Sequence, residues 1–159
     1  MAQPELYFIS KITNGEVYMM PKPRALSLKE DIAFYRSQGI DAVVSLIRPQ
    51  EVVEKGLSDE RVLCEQAGLA FFEFPIKDMD VPDKVELEAF LSQLKPLFDA
   101  GKNVTFHCQG GRGRAGTAVV SLMLMNGFNA EQAIKIASDG RGDQVPVCDI
   151  QREFLANFK

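Results

Sequence analysis

Lys102-Asn103-Val104-Thr105-Phe106-His107-Cys108-Gln109-Gly110-Gly111-Arg112-Gly113-Arg114-Ala115-Gly116-Thr117 passes from a β-branched and aromatic stretch, through a glycine-rich turn, into an apolar segment that continues to Met125. Residues 102–107 have the composition of a buried strand, and residues 115–125, stopped by Gly127, that of a buried helix. A strand joined to a helix by a short turn is a building unit of α/β layer folds. The four glycines at positions 110, 111, 113 and 116 let the backbone curl. Successive N–H groups can then converge at the helix N-terminus, where the helix dipole also favours an anion.

Outward from that unit, strand-like and helix-like patterns alternate nearly to the end of the chain. Residues 6–10 and 16–20 read as short strands around an Asn14-Gly15 turn. Ser27 with Glu30 forms a capping-box pattern ahead of a helix that carries Leu28, Ile32 and Tyr35 on one face and Gly39 at its end. Residues 41–47 include a continuous apolar run suited to a strand covered on both faces. A helix over about 58–67, stopped by Gly68, leads into a strand over 69–75. Asp83 and Glu86 make a second capping box, before a helix whose Val85, Leu87, Phe90, Leu94 and Leu97 supply an apolar stripe. Asn129 with Gln132 opens another helix, and Pro146 precedes a last one through Phe154 and Leu155. The pattern predicts one α/β domain over residues 1–159, with a central, mostly parallel twisted sheet of about five strands and helices on both faces.

Composition narrows the function. A chain of 159 residues with 46% hydrophobic and 25% charged residues is sized for a single core, and its apolar runs are too short for a bilayer span. Residues 1–10 lack a basic stretch followed by a long apolar run, so a cytoplasmic location is expected. A formal charge of −4 disfavours nucleic-acid binding, which needs a basic face. Cys64, Cys108 and Cys148 are irregularly spaced with no C-x-x-C pair, against both a disulfide framework and a zinc site. The expectation is a monomer without metal or other cofactor, whose partner is its substrate.

One cysteine is placed for chemistry. Cys108 opens the glycine-rich turn, and Arg114, six residues on, can return across it to bind two oxygens of a phosphate bidentately. The backbone of Gln109, Gly110, Gly111, Arg112 and Gly113 supplies the remaining donors. Helix N-terminus, inward N–H groups and guanidinium all favour a thiolate. In-line attack by that thiolate on a bound phosphate gives a cysteinyl-phosphate. His107 is expected to orient the loop, and Arg112 adds a cation on its rim that points to an acidic substrate.

The His-Cys-x5-Arg pattern followed by a helix resembles the signature of cysteine-dependent protein tyrosine and dual-specificity phosphatases. Residues Phe74-Pro75-Ile76-Lys77-Asp78-Met79-Asp80-Val81-Pro82-Asp83 resemble the general-acid loop of small members, especially bacterial-type ones similar to the cyclin-dependent kinase inhibitor-associated phosphatase. The resemblance runs from about residue 25 to the end. It implies a dual-specificity phosphatase fold, phosphomonoester hydrolysis, and Asp78 as the acid that protonates the leaving group. Asp80 competes for that role, whereas Asp83 is explained as a helix cap. The family usually has Ser or Thr after the signature arginine, and here stands Ala115; phosphatases of regenerating liver share that alanine and are weak catalysts. Slow breakdown of the intermediate is therefore a second expectation, with Thr117 one half-turn beyond Ala115. A basic loop residue like Arg112 also occurs in phosphoinositide phosphatases, so a phosphoinositide or inositol-phosphate substrate is an alternative to a phosphoprotein.

Other readings of the same residues are weaker. Gly111-x-Gly113-x-x-Gly116 satisfies a dinucleotide-binding fingerprint with Glu131 twenty residues on, but that acid falls in a helix start rather than at a strand end. A sulfurtransferase also uses a cysteine in an anion-binding loop, yet has no use for a general-acid loop. Arg141-Gly142-Asp143 reads as a helix-stopping turn, not an adhesion motif. Packing roles are expected for Cys64 and Cys148, and a solvent-facing one for Gln151.

Overall fold

The computed structural model describes residues 2–158; Met1 and Lys159, the ends of the expected domain, lie outside the described residues. Its sheet is built around β5 (Asn103–His107), which lies between β2 (Gly15–Met20) and β3 (Ala42–Ser45), with β1 (Tyr7–Ile12) outside β2 and β4 (Ala70–Glu73) outside β3. β1 pairs antiparallel with β2, and every other pairing is parallel. Register puts Val17, Val104 and Ala42 in one row and Met19, Phe106 and Val44 in another; between them run Tyr18, Thr105 and Val43, and beyond them Met20, His107 and Ser45. Neighbouring residues on a strand face opposite sides. All of these except Tyr18 are buried, so the middle of the sheet is covered on both faces, as the uninterrupted apolar run at 41–47 requires.

Eight helices supply that cover among the described residues: α1 (Leu28–Ser37), α2 (Pro49–Glu54), α3 (Glu60–Gln66), α4 (Lys84–Gln93), α5 (Lys95–Asp99), α6 (Gly113–Met125), α7 (Ala130–Arg141) and α8 (Asp149–Ala156). α6 lies along β2 and β5 with α4, α7 and α8 packed on it, while α1 packs on α3. Residues 114–123 of α6 are all buried, which marks it as the core helix. None of the helices is long and apolar enough to cross a membrane.

Two expected caps form: the Asp83 carboxylate accepts the Glu86 N–H at 2.9 Å, and the Asn129 side chain accepts that of Gln132 at 2.8 Å. The Ser27 cap does not. A 3-10 turn at Ala25–Ser27 precedes α1, and the Ser27 hydroxyl donates instead to Asp31 at 3.4 Å. Asp31 is fully buried and is held by the Arg24 backbone N–H and guanidinium, at 2.8 and 2.7 Å. That buried charge fixes the entry to α1. The helix expected through Leu97 breaks at Leu94, because Pro96 cannot donate to the helix ladder and starts the separate α5. Val85, placed in its apolar stripe, is 73% exposed. α2 went unforeseen, since six residues are too few to show a helical period.

Where the hairpin meets the start of β5 there is no room for a side chain. A Cβ on Gly15 would stand 2.1 Å from the Lys102 carbonyl oxygen and 3.2 Å from Phe98 Cα, both main chain. Gly15→Ala is expected to cost about 1–3 kcal/mol, seen in urea unfolding as a lower midpoint with an unchanged slope; an unshifted midpoint would contradict this packing.

Candidate active site

The turn between β5 and α6 sits at the carboxyl ends of the parallel strands, where open α/β sheets form their binding crevices. Its main chain is tied down from outside. The Leu46 N–H donates to His107 O at 2.9 Å and the Lys22 N–H to Gln109 O at 3.1 Å. Arg141 donates through Nη2 to Gly110 O at 3.0 Å and through Nε to Gly111 O at 3.1 Å. Gly111 has φ of +77°, and a Cβ there would stand 2.5 Å from the Met20 main chain, so both conformation and space demand glycine. With the loop so held, the Gly111 N–H points to Cys108 Sγ at 3.3 Å. Cys108 itself is 2% exposed, at the base of a cleft of about 320 Å3.

Cys108, Gln109, Gly110, Arg112, Gly113 and Arg114 line that cleft from the loop, and Asp78, Met79 and Val147 from outside it. Arg114 is only 1% exposed. Its guanidinium forks onto Glu51, Nη1 to Oε1 at 2.7 Å and Nη2 to Oε2 at 3.0 Å, and Nη1 also donates to Ile76 O at 3.0 Å. Burial alone would raise the Glu51 carboxyl, but hydrogen bonds from Arg114 and the Arg48 N–H hold it below its usual range. Asp78 Oδ1 lies 3.5 Å from Arg114 Nη2, facing the cleft. The Asp80 carboxylate turns back instead to accept the Val81 N–H at 2.8 Å.

Behind the loop, His107 is fully buried, with Nδ1 3.1 Å from Cys108 O and Nε2 2.7 Å from Glu60 Oε2. Cys108 O can only accept, so Nδ1 carries a proton, and a carboxylate opposite Nε2 favours a second proton and a positive charge on the ring. Burial opposes that charge, but the Glu60 carboxylate outweighs it and the imidazole is raised above its ordinary value. Ala115 and Thr117 are buried in α6, and the Thr117 hydroxyl is taken up by Gly113 O at 2.9 Å, so it supplies no substitute for a hydroxyl at 115.

Several expectations change here. Arg112 is not a bare rim cation: its Nη1 is 3.2 Å from Asp143 Oδ2, and its Nε donates to Gln144 O at 3.3 Å. Gln151 is not solvent-facing. It is fully buried, accepting the Val147 N–H at 3.1 Å and donating to Asp80 O at 3.4 Å, with its amide against Gly113. Gly142 does stop α7, with φ of +78°, but the Arg141 beside it is a loop contact. Glu131 falls in the first turn of α7, so the dinucleotide reading is dropped. Cys64 is buried and burial pushes its thiol up to about 12, in keeping with packing; Cys148 Sγ contacts Met79 O at 3.7 Å. The residues missed are Glu51, Glu60 and Arg141, and only Glu51 had a signal, as the third residue of a helix opened by Pro49.

This fold and this loop define the class: a cysteine-dependent phosphatase of the tyrosine and dual-specificity kind. The family is narrower. The family model described as "Polymorphic toxin system, DSP-PTPase phosphatase" matches residues 18–128, well over half of the chain, and the chain belongs to that family. Kinase associated phosphatase (KAP), solved with its catalytic-site cysteine replaced by serine, superposes with a TM-score of 0.90 at 20% identity, over 99% of this chain and 95% of that one. Tk-PTP in its active form gives 0.79 at 26% identity, covering 99% and 97%. PTPMT1 in complex with PI(5)P gives 0.75 at 19% identity, covering 96% and 94%. No curated protein gives a significant sequence match.

The His107–Glu60 pair carries a pH signature. With the folded-state imidazole raised above its ordinary 6.5, the pair's contribution is full below that value and is lost as pH rises through the raised one. Glu60→Gln is expected to lower stability at pH 6 by about 1–3 kcal/mol and to abolish the decline of the wild-type melting temperature above about pH 6.5. A variant that keeps the wild-type decline would show the ring to be neutral.

Proposed function

We propose that residues 1–159 form a single catalytic domain that hydrolyses phosphomonoesters through a cysteinyl-phosphate on Cys108. The observation that carries this is convergence: the Cys108 thiol, the Arg114 guanidinium and the Asp78 carboxylate face one cleft, the last two 3.5 Å apart. The Cys108 thiolate attacks phosphorus while the ester oxygen departs, taking a proton from Asp78. Asp78 then takes a proton from water, the water oxygen attacks phosphorus, the P–S bond breaks, and thiolate and inorganic phosphate are released. Loop N–H groups and Arg114 hold the equatorial oxygens throughout. Glu51 keeps the guanidinium in one plane, and His107 donates from Nδ1 to the Cys108 carbonyl, which fixes the main chain at the nucleophile. A thiol nucleophile of this kind suits the reducing cytoplasm.

For the substrate, a tyrosine or dual-specificity protein phosphatase is the reading we favour. Met79, 54% exposed, and Val147 give the cleft apolar walls above the phosphate site, while Asp143 balances the charge of Arg112. Arg112 on the rim still supports a second reading, an inositol-phosphate or phosphoinositide phosphatase. Ala115 supports a third, a phosphate-binding protein with slow turnover.

The test is hydrolysis of an aryl phosphate without added metal, inhibited by vanadate. Cys108→Ser should abolish it and Arg114→Met should reduce it roughly 100- to 1,000-fold; undiminished turnover in either sinks the mechanism. Asp78→Asn should lower kcat on the order of 100-fold with poor leaving groups and flatten the pH profile, whereas the same loss in Asp80→Asn alone would reassign the acid. Ala115→Ser should raise the steady-state rate after a burst, and an unchanged rate would remove the slow-turnover reading.

A further inference from the structure

Arg141 lies outside the loop, at the end of α7, yet it makes two hydrogen bonds to the loop's pair of adjacent glycines, at Gly110 O and Gly111 O. In a trans peptide unit the C=O and N–H point in opposite directions. The unit that ends in Gly110 O begins the N–H of Gly111, and the unit that ends in Gly111 O begins the N–H of Arg112. Drawing both carbonyls outward to one guanidinium therefore turns both N–H groups inward, toward the phosphate site. The Gly111 N–H, 3.3 Å from Cys108 Sγ, has that orientation.

Beyond that contact to sulfur, the two glycines impose little of their own. Gly110 and Gly111 have no Cβ to restrict their dihedrals. A flipped unit would aim a carbonyl oxygen at a dianion, replacing an attraction with a repulsion of similar size. Two consecutive carbonyls match the fixed fork of a guanidinium, which a single ammonium cannot reproduce. The fork is held in turn by Tyr7 of β1, whose ring centroid lies 4.2 Å from Arg141 Cζ.

We infer that Arg141 is a positioning residue for phosphate binding: it sets the polarity of the Gly110–Gly111 and Gly111–Arg112 peptide units, with Tyr7 fixing its plane. The inference rests on the phosphatase reading of the loop. It assigns a role in anion recognition to a residue that touches no substrate and lies beyond the stretch matched by the family model.

The experiment measures inorganic phosphate binding by calorimetry and by amide NMR shifts, on folded protein well below each melting temperature. Arg141→Met should weaken phosphate about 10- to 100-fold and remove the phosphate-induced shifts of the Gly111 and Arg112 amides, while those of Gly113 and Arg114 persist. Arg141→Lys keeps the charge without the fork and should recover only part of the affinity. Tyr7→Leu should weaken binding a few-fold, and it carries the test if Arg141→Met does not fold. Unchanged affinity in Arg141→Met, or full affinity in Arg141→Lys, would overturn the positioning role while leaving the phosphatase reading intact. A wild-type protein that neither binds phosphate nor hydrolyses aryl phosphates would overturn both.

Discussion

A guanidinium with 1% of its surface exposed must be paired, and the pairing of Arg114 organises much of the molecule. Glu51 has to come to it, so the chain leaving β3 turns sharply at Arg48 and Pro49 into a short helix that delivers a carboxylate in its first turn. The segment after β4 must bring the Ile76 carbonyl to the same group, which places Asp78 and Met79 at the cleft. Two crossings that are remote in sequence are thus set by one side chain.

The same logic explains what could be read from the sequence and what could not. Strand β5, the glycine turn and α6 are local: composition and punctuation are enough to place Cys108 and Arg114 in a loop at a helix N-terminus. Caps at Asp83 and Asn129 are local as well, each closing a bond to a residue three positions on. Glu51, Glu60 and Arg141 find their partners 63, 47 and 30 residues away. Read alone, each is a charged residue on a short or amphipathic helix, where solvent is the ordinary destination. Gln151 and Ser27 mislead for the same reason, since burial of a neighbouring group decides where their hydrogen bonds go.

A second buried pair, His107 with Glu60, is tied to the loop through the Cys108 carbonyl and lines no part of the cleft. The other pair, Arg114 with Glu51, brings its guanidinium to the wall of the cleft. In each pair the charge of one member is met by the other, so its desolvation is compensated. Pairing thereby lets the Arg114 guanidinium stand in the cleft wall of a core that would not tolerate a bare cation.

The family match ends at residue 128, just beyond α6, while Arg141, Val147 and Gln151 come from the last thirty residues of the chain. The stretch that holds the reactive thiol and part of the wall around it are therefore far apart in sequence, though they belong to one fold. A change of side chain at Val147 can thus alter what the cleft admits without touching the thiol or the guanidinium that binds phosphate.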